Sequence, residues 1–430
     1  MKKRLCLQEV SGSAADLAAE LQTVSGWQSG ATVERERNFE LPGGDEAVVR
    51  CRETELRPSA KNSELRIIAR EGIIITSAKL LPLRELTLVY TSKEVSQLPK
   101  LLAKLCGRLP LLLAEPDLKQ RWAQENGCYD FRLLALYKKS GLQALALCHL
   151  PWQLYAVSKA WQQFLQQPSE KLLVRQLRVK LRRLRSTLSF FKPVLQQSNT
   201  AIWQEQLRRL GELLSRLREL DVALMTCEKI KLQAATSAVQ LTIPVQVEEL
   251  LQKLRAEETA RCLREVDLSS VTQQLAQLYV WLHERPLAPN LSGQKLKKFI
   301  RQRLNEWSRK LETLDRKYSD FHNMLELHQI RIKVKRFRYV LQALPEIRRD
   351  SNLLRRLKKL QDMLGFLHDD FINAQLVNCF LKDAGNVQLR YEAGLFAGWE
   401  RAKAEAALEL LPQLWQEFCG ALAEWRRENL

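Results

Sequence analysis

The sequence predicts an α+β domain followed by an all-α domain, on three observations. Up to about residue 140, β-rich runs alternate with short helical patterns and with turn signals such as Gly43-Gly44. From Pro151 onward the β-rich runs disappear and long patterns with helical spacing follow. A basic helical segment occurs twice in this second part. We therefore expect domains at residues 1–145 and 150–430, since 430 residues exceed what one hydrophobic core normally serves.

The first domain contains the elements of a sheet with helices beside it. The predicted strands are the opening run KKRLCLQEV (2–10), AVVRCRE (47–53), ELRIIAR (64–70) and LTLVYTS (86–92). The predicted helices are DLAAELQTVSG (16–26) and LPKLLAKLCGRL (98–109), in which apolar residues recur at helical spacing and a glycine marks the end.

Two motifs of the helical domain are duplicated in the same order. VRQLRVKLRRLRSTLSFF (174–191) matches LHQIRIKVKRFRYVLQAL (327–344), and LRRLGELLSRLRELDVAL (207–224) matches LKKLQDMLGFLHDDFINA (357–374). Similar offsets for two motifs indicate duplication of a whole helical unit. We therefore expect two bundles related by pseudo-two-fold symmetry, at about residues 150–290 and 291–430.

The first duplicated motif carries its cations along one helix face. At about 100° per residue, positions i, i+3, i+7 and i+10 share a face. This stripe consists of Arg175, Arg178, Arg182 and Arg185 in the first copy and of His328, Arg331, Lys335 and Arg338 in the second. Apolar residues border the stripe on both sides, which suits a groove better than an open surface. Arg183 and Arg336 lie beside it, as flanking contacts or as outer-face salt-bridge partners.

The cations of the stripe lack neutralising groups on their own helix. Between Lys171 and Lys192 there are eight Lys or Arg and no Asp or Glu. Like charges at these spacings destabilise a helix, and partial burial makes each cation harder to desolvate. An anionic ligand would relieve both effects. The alternative is a solvated face, or ion pairs with carboxylates of neighbouring helices, but two copies in register favour the ligand.

The basic excess of the chain lies in the helical domain. The net charge is +19, and residues 1–150 hold 22 basic and 18 acidic side chains, against 46 and 31 in the remainder. The segment KLKKFIRQRLNEWSRK (295–310) adds seven Lys or Arg, as a solvated face or as an extension of the groove. Such a region attracts polyanions. Nucleic acid, inorganic polyphosphate and an acidic membrane surface all satisfy this criterion.

Other sequence features predict a cytoplasmic protein. No apolar run approaches the length of a membrane span, and no apolar segment follows the basic residues at the start of the chain. The nine cysteines are scattered without a CxxC motif, which fits reduced thiols in the core. No membrane partner and no cofactor are expected.

The duplicated motifs resemble the CHAD family, the conserved-histidine α-helical domains. The family pattern of a histidine followed by basic residues at +3, +7, +8 and +10 is met by His328, Arg331, Lys335, Arg336 and Arg338, with Tyr339 next. The first copy keeps Arg178, Arg182, Arg183 and Arg185 but has Arg175 in place of the histidine. RELDV (218–222) and LGFLHDD (364–370) resemble the second family segment in each repeat, with Glu219 substituted in the first.

This resemblance implies two four-helix bundles that face each other around a basic groove or pore, which binds inorganic polyphosphate. The residues of both stripes would bind the ligand, together with Arg183 and Arg336. Six further residues complete the expected set: Lys180, Lys333, Tyr339, Lys297, Lys298 and Arg301. The resemblance also implies an association with polyphosphate granules.

RNFELPGG, AVVRCRE, LRELTLVYTS and RLPLLLAEPDLKQRWA occur in an order and at distances like segments of the CYTH triphosphatase family. The N-terminal domain therefore resembles that fold, in a degenerate form. A CYTH enzyme begins with Glu-x-Glu-x-Lys on one strand, and its carboxylates hold a divalent metal. Here the first strand presents Lys2, Arg4 and Cys6 instead. Glu34 and Glu36 alternate in VERERNFEL, but they precede the turn where a different strand belongs. We therefore expect no metal site and no catalysis.

No other catalytic motif is present, because GxxxxGK[ST], GxGxxG, HExxH, GxSxG and EF-hand loops are all absent. His368 is interpreted as a surface or core residue, and Asp369 and Asp370 are expected to pair with helix-borne cations. Asp221 is likewise expected to form a salt bridge within a bundle. Two alternatives to polyphosphate binding remain, namely a triphosphatase with an accessory helical domain and a nucleic-acid-binding helical protein.

Overall fold

A computed structural model describes residues 2–10, 15–41, 46–59, 63–77, 79–118, 121, 142–195, 197–236, 243–284, 296–317, 321, 323–343, 351–383 and 386–429. An antiparallel sheet region at residues 1–114 precedes an all-helical region, as predicted. The turn predicted at Gly43-Gly44 lies outside the described residues. The pseudo-two-fold relation between two bundles stays a prediction.

The contacts divide the chain into two compact units. The first comprises residues 1–167, 194–197 and 263–292, and the second comprises residues 168–193, 198–262 and 293–430. The sequence places a change from mixed α and β structure to helical structure near residue 150. That this change is also a domain boundary stays a prediction.

The first unit is built on a six-stranded antiparallel sheet. Its strands are β1 (Lys3–Glu9), β2 (Gln28–Glu40), β3 (Glu46–Arg57), β4 (Arg66–Thr76), β5 (Leu80–Tyr90) and β6 (Leu111–Ala114), in the order β2-β3-β4-β5-β1-β6. The four predicted strands are confirmed as β1, β3, β4 and β5. Helix α1 (Leu17–Ser25) begins where the Asp16 carboxylate accepts a hydrogen bond from the amide of Ala19, and it ends at Gly26 in the left-handed conformation.

Three more helices belong to the first unit, namely α2 (Leu98–Cys106), α3 (Leu142–Gln166) and α8 (Leu268–Glu284). Helix α8 packs against the edge of the sheet, where the Thr272 hydroxyl donates to the Leu111 carbonyl at 2.6 Å. On the same helix, the Tyr279 hydroxyl donates to the Arg4 carbonyl at 3.0 Å. These bonds satisfy backbone carbonyls at a sheet edge.

The second unit is helical throughout its described residues. Its helices are α4 (Lys171–Phe191), α5 (Gln197–Leu213), α6 (Ser215–Thr236), α7 (Val245–Glu265), α9 (Leu296–Lys317), α10 (Met324–Ala343), α11 (Ser351–Asp383) and α12 (Val387–Asn429). One core cluster joins α6, α7, α11 and α12 through buried residues such as Leu224, Leu251, Val377 and Phe396. None of the described helices is long and apolar enough to cross a membrane.

The apolar arcs predicted for α4 and α10 are buried. Leu177, Leu184 and Leu188 on α4 are fully inaccessible, as are Val334 and Leu341 on α10. Each buried leucine of this kind stabilises the fold by about 1.5–3 kcal/mol. Because the basic stripe borders this arc on both helices, packing of the apolar arcs fixes where the cations lie.

Candidate functional site

The two basic stripes meet within the second unit, because α4 packs against α10. Arg178 and Arg182 on α4 interact electrostatically with Arg331 and Lys335 on α10. We call these four residues the basic cluster. The cluster has one duplicated motif on each side, so the sequence repeat appears in the structure as a concentration of positive charge.

Burial and mutual repulsion make it costly to keep the basic cluster protonated. Burial lowers the pKa of Arg178 to about 10, and the neighbouring Arg182 adds to the effect. The pKa of Arg331 falls to about 10 for the same two reasons. Burial lowers the pKa of Lys335 to about 6, with further contributions from Arg331 and Arg182. A nearby anion would offset these costs.

Some N–H donors of the basic arginines have no hydrogen-bond acceptor among the described residues. Arg178 donates from Nη1 to the Gly211 carbonyl at 2.9 Å and to the Ser215 hydroxyl at 2.8 Å, which fixes its guanidinium against α5 and α6. The Nε groups of Arg178, Arg185 and Arg331 are buried without an acceptor among the described residues. No described residue forms a salt bridge with Arg331 or Lys335. Guanidinium groups held in this way suit the oxygens of a phosphate.

A small pocket adjoins the α4 side of the cluster. It has a volume of about 120 Å³ and is lined by Arg178, Arg182, Arg185 and Arg208, together with Ser215 and other residues of α4 to α6. Burial lowers the pKa of Arg185, and Arg336 on α10 contributes to this shift. Glu212 also lines the cavity and pairs with Arg208, so Arg178, Arg182 and Arg185 are the guanidinium groups that favour an oxyanion over a neutral ligand here.

Carboxylates near the cluster are too few to neutralise it. Asp369 on α11 interacts with Arg331 and Lys335, but burial raises the pKa of this carboxyl group. Asp221 is fully buried and bonds to Arg255, whose Nε lies 2.7 Å from its Oδ1. This is a salt bridge within the bundle, as predicted for Asp221. It engages that carboxylate away from the cluster's own cations.

Two histidines lie next to Arg331. The Nδ1 atoms of His328 and His368 are 3.4 Å apart. Burial lowers the pKa of His328, with help from Arg331 and Lys335. The pKa of His368 falls to about 3 through burial and the charge of Arg331. Both imidazoles are therefore neutral near pH 7, chiefly because burial disfavours their charged form.

The remaining predicted site residues differ in exposure. Arg175 and Arg336 are exposed on α4 and α10, whereas Lys180, Arg183, Lys333 and Arg338 are half-buried and Tyr339 is buried. Lys298 and Arg301 are exposed on α9, and no interaction brings them to the basic cluster among the described residues. The side chain of Lys297 lies outside the described residues.

Sequence reasoning did not assign Arg218, His368 and Asp369 to the site. Arg218 interacts with Asp369, Arg175 and Arg182, and burial lowers its pKa. All three residues belong to the second duplicated motif, in which Arg218 and His368 occupy equivalent positions. The duplication of this motif could have identified these residues, because an ordinary surface helix is not expected to repeat its polar residues at equivalent positions.

The sheet of the first unit has a larger hollow, in which several arginines are paired with glutamates. This hollow of about 710 Å³ is lined by Glu36, Arg50, Glu71 and Arg84, among other residues. The Arg50 Nε lies 3.0 Å from the Glu36 carboxylate, and Arg84 contacts Glu71. Elsewhere on the sheet, Glu85 is buried between Arg70 and Arg121 at 3.0 and 2.7 Å. These arginines are therefore already matched by carboxylates, whereas the cations of the basic cluster are not.

Two basic helices that pack along apolar arcs and carry half-buried cations define an all-helical class of protein. Within that class the chain belongs to the CHAD domain family, whose pattern matches residues 154–378, just over half of the 430 residues. This match includes α4 and α10 and therefore the whole basic cluster.

Two solved structures are similar in fold. PptA from Streptomyces chartreusis aligns with a TM-score of 0.51 and 17% identity, covering 64% of this chain and 100% of that chain. The crystal structure of the CHAD domain from the plant Ricinus communis aligns with a TM-score of 0.52 and 21% identity, covering 64% and 92%. No curated protein sequence matches the chain. At these identities the likeness concerns the fold alone.

Replacing Lys335 by methionine should stabilise the free protein. The folded-state pKa of Lys335 is about 6 and its ordinary value is 10.5, so the unfolded chain binds the proton more tightly. Stability therefore falls as pH decreases from about 10.5 to 6, and the methionine variant avoids this loss. We expect a higher melting temperature at pH 6 and a much smaller gain at pH 9, measured by circular dichroism. A destabilised variant at pH 6 would contradict the burial of an uncompensated lysine.

Proposed function

We propose that this protein binds inorganic polyphosphate through the basic cluster of α4 and α10. One observation carries the proposal: Arg331 and Lys335 are half-buried beside Arg178 and Arg182, and no described residue forms a salt bridge with either α10 cation. Keeping such a cluster in the fold opposes stability unless a ligand supplies negative charge. The family membership supports the same ligand, because polyphosphate binding is the activity that the resemblance implies.

A thin polyanion fits this site better than a nucleic acid does. Polyphosphate carries about one charge per phosphate and has no sugars or bases to place outside a partly buried stripe. The cluster is bordered by leucine, valine and isoleucine side chains and has no exposed aromatic rings on which bases could stack. This description covers the parts of α4 and α10 that the structure describes.

The protein is proposed to bind polyphosphate without hydrolysing it. On β1, Arg4, Cys6 and Gln8 alternate on one face, where a CYTH enzyme would have its metal-binding carboxylates. Nearby carboxylates such as Glu85 are engaged by arginines. A carboxylate paired in this way would have to lose its arginine before it could bind a metal ion.

Reversing one charge on each helix should abolish binding. The double variant R178E/R331E is expected to lose polyphosphate affinity by at least about a hundredfold, because each reversal removes a charge-assisted hydrogen bond of about 1.5–3 kcal/mol and adds repulsion. Affinity is measured by fluorescence anisotropy with labelled long-chain polyphosphate, and folding by circular dichroism.

The matched control is K358E/K359E, which changes the net charge equally on exposed positions of α11. This control should bind within about twofold of the wild type if local contacts decide affinity. Equal losses in both double variants would assign binding to overall charge and contradict the site.

Polyphosphate affinity should rise as the pH falls from 8 to 6. Lys335 is largely neutral at pH 8 in the free protein, since burial and the neighbouring arginines lower its pKa to about 6. A bound polyanion raises this pKa, so the lysine takes up a proton on binding. The change is limited to about tenfold per pH unit for one proton.

The variant K335R keeps the charge at every pH and should flatten this dependence, while His328 contributes any slope that remains. Isothermal titration calorimetry in two buffers of different ionisation enthalpy counts the protons directly. An unchanged slope in K335R would remove Lys335 from the proton uptake.

Purified full-length protein should release no phosphate from tripolyphosphate in the presence of Mg²⁺ or Mn²⁺. The reason is that β1 offers no carboxylate pair for a metal and the nearby glutamates are bonded to arginines. Phosphate is measured colorimetrically against an active triphosphatase as positive control. Metal-dependent release that follows the protein through purification would favour the triphosphatase alternative.

A further inference from the structure

A second cavity of the helical unit has a different character from the basic cluster. It has a volume of about 610 Å³ and lies between the N-terminal part of α10 and the middle of α11. Its size is within the range of small-molecule binding sites. We call it the apolar pocket, and it is lined by Asn323, Leu325, Leu327, His328, Arg331, Leu364, Leu367, His368, Phe371 and Ile372.

The walls of the apolar pocket follow from helix periodicity. Leu364, Leu367, Phe371 and Ile372 recur at the spacing of one face of α11, and they form one apolar wall. Leu325 on α10 is 79% exposed and Phe371 is 38% exposed, so both reach solvent at the opening. An apolar ligand chain would cover these side chains and gain the free energy of their burial.

Among the polar residues that line the pocket, Arg331 carries the permanent charge. The Asn323 side chain caps α10, because its Oδ1 accepts hydrogen bonds from the amides of Leu325 and Glu326 at 3.0 and 3.3 Å. His328 and His368 face each other across 3.4 Å and are neutral near pH 7. Arg331 is therefore the fixed charge of the lining, and its buried Nε has no acceptor among the described residues.

The lining of the apolar pocket fits a ligand that has one anionic end and one apolar end. A ligand made only of phosphates would not cover the leucine side chains of the pocket, and the phosphates beside them would lose hydration. A wholly apolar ligand would leave Arg331 unpaired. Other charges at this end are Lys335, Arg182 and Asp369, so cations outnumber carboxylates around Arg331. An anionic head beside Arg331 and an apolar tail along α11 satisfy both requirements.

We propose that the apolar pocket binds the phosphate ester of a long-chain apolar alcohol, with its phosphate at Arg331 and its chain between α10 and α11. The forked guanidinium and the one imidazole N–H that the His328–His368 contact leaves available supply donors suited to a tetrahedral oxyanion. This inference goes beyond polyphosphate binding and stands on the lining of a separate cavity. Arg331 belongs to both sites, so the two ligands compete.

The test uses dodecyl phosphate below its micelle concentration, titrated into the full-length protein by calorimetry. Inorganic phosphate and dodecyltrimethylammonium at the same concentration serve as head-group and tail controls. Dodecyl phosphate should bind, and both controls should bind at least about tenfold more weakly, since each lacks one of the two contacts. Equal binding of the cationic detergent would indicate nonspecific adsorption and overturn the proposal.

Two variants at the opening locate the site. F371E and L325E place a carboxylate where the chain should lie, and each should weaken dodecyl phosphate binding about tenfold or more. L395E and V387E are the matched controls on α12, with original side chains 39% and 72% exposed. They should bind as the wild type does. Unchanged binding in both F371E and L325E would overturn the assignment to this pocket.

A parallel titration with long-chain polyphosphate separates the two proposals. F371E and L325E should keep wild-type polyphosphate affinity, because neither residue belongs to the basic cluster. Wild-type protein that binds polyphosphate but not dodecyl phosphate would overturn the pocket and leave the proposed function intact. Binding of dodecyl phosphate without binding of polyphosphate would support the pocket and contradict the proposed function.

Discussion

Repulsion among the buried cations of α4 and α10 is the constraint around which the helical unit is built. Arg178, Arg182, Arg331 and Lys335 would separate if their helices were free, since burial strengthens like-charge repulsion. The apolar arcs prevent this. Buried apolar side chains, such as Leu177 and Leu184 on α4 and Val334 on α10, hold each helix in place at about 1.5–3 kcal/mol per side chain. The fold thus uses the burial of apolar side chains to hold these cations close together.

The sheet and the basic cluster differ in how their charges are matched. In the sheet, arginines are matched by glutamates, as Arg84 is by Glu9 at 2.6 Å and Arg70 by Glu53 at 3.0 Å. In the helical unit, Arg255 and Asp221 form such a pair, but Arg331 and Lys335 have none among the described residues. A protein that needed arginines only for its fold would pair all of them. The half-buried cations of the basic cluster that lack a salt bridge among the described residues therefore favour a role beyond folding.

Much of this arrangement was predictable from the sequence, because helix periodicity and charge determine it directly. The arc of Leu177, Leu184 and Leu188 and the adjoining basic stripe both follow from counting residues along one helix. The strands β2 and β6 were not predicted, since β2 is charged and exposed along nearly its whole length and β6 has only four residues. The apolar pocket could not be predicted either. It depends on how α11 lies against α10, and periodicity within one helix contains no information about that packing.

The role of His368 shows the same limit. A lone histidine within a helical motif is most often a core or surface residue, and only its distance of 3.4 Å from His328 brings it into the site.

The central claim is that the unmatched cations bind polyphosphate in particular. The most direct test is the affinity of the wild-type protein for long-chain polyphosphate at near-physiological salt, with RNA and double-stranded DNA as competitors at equal phosphate concentration. Tight binding that neither nucleic acid displaces is the predicted result; displacement by nucleic acid, or no binding at all, would contradict it.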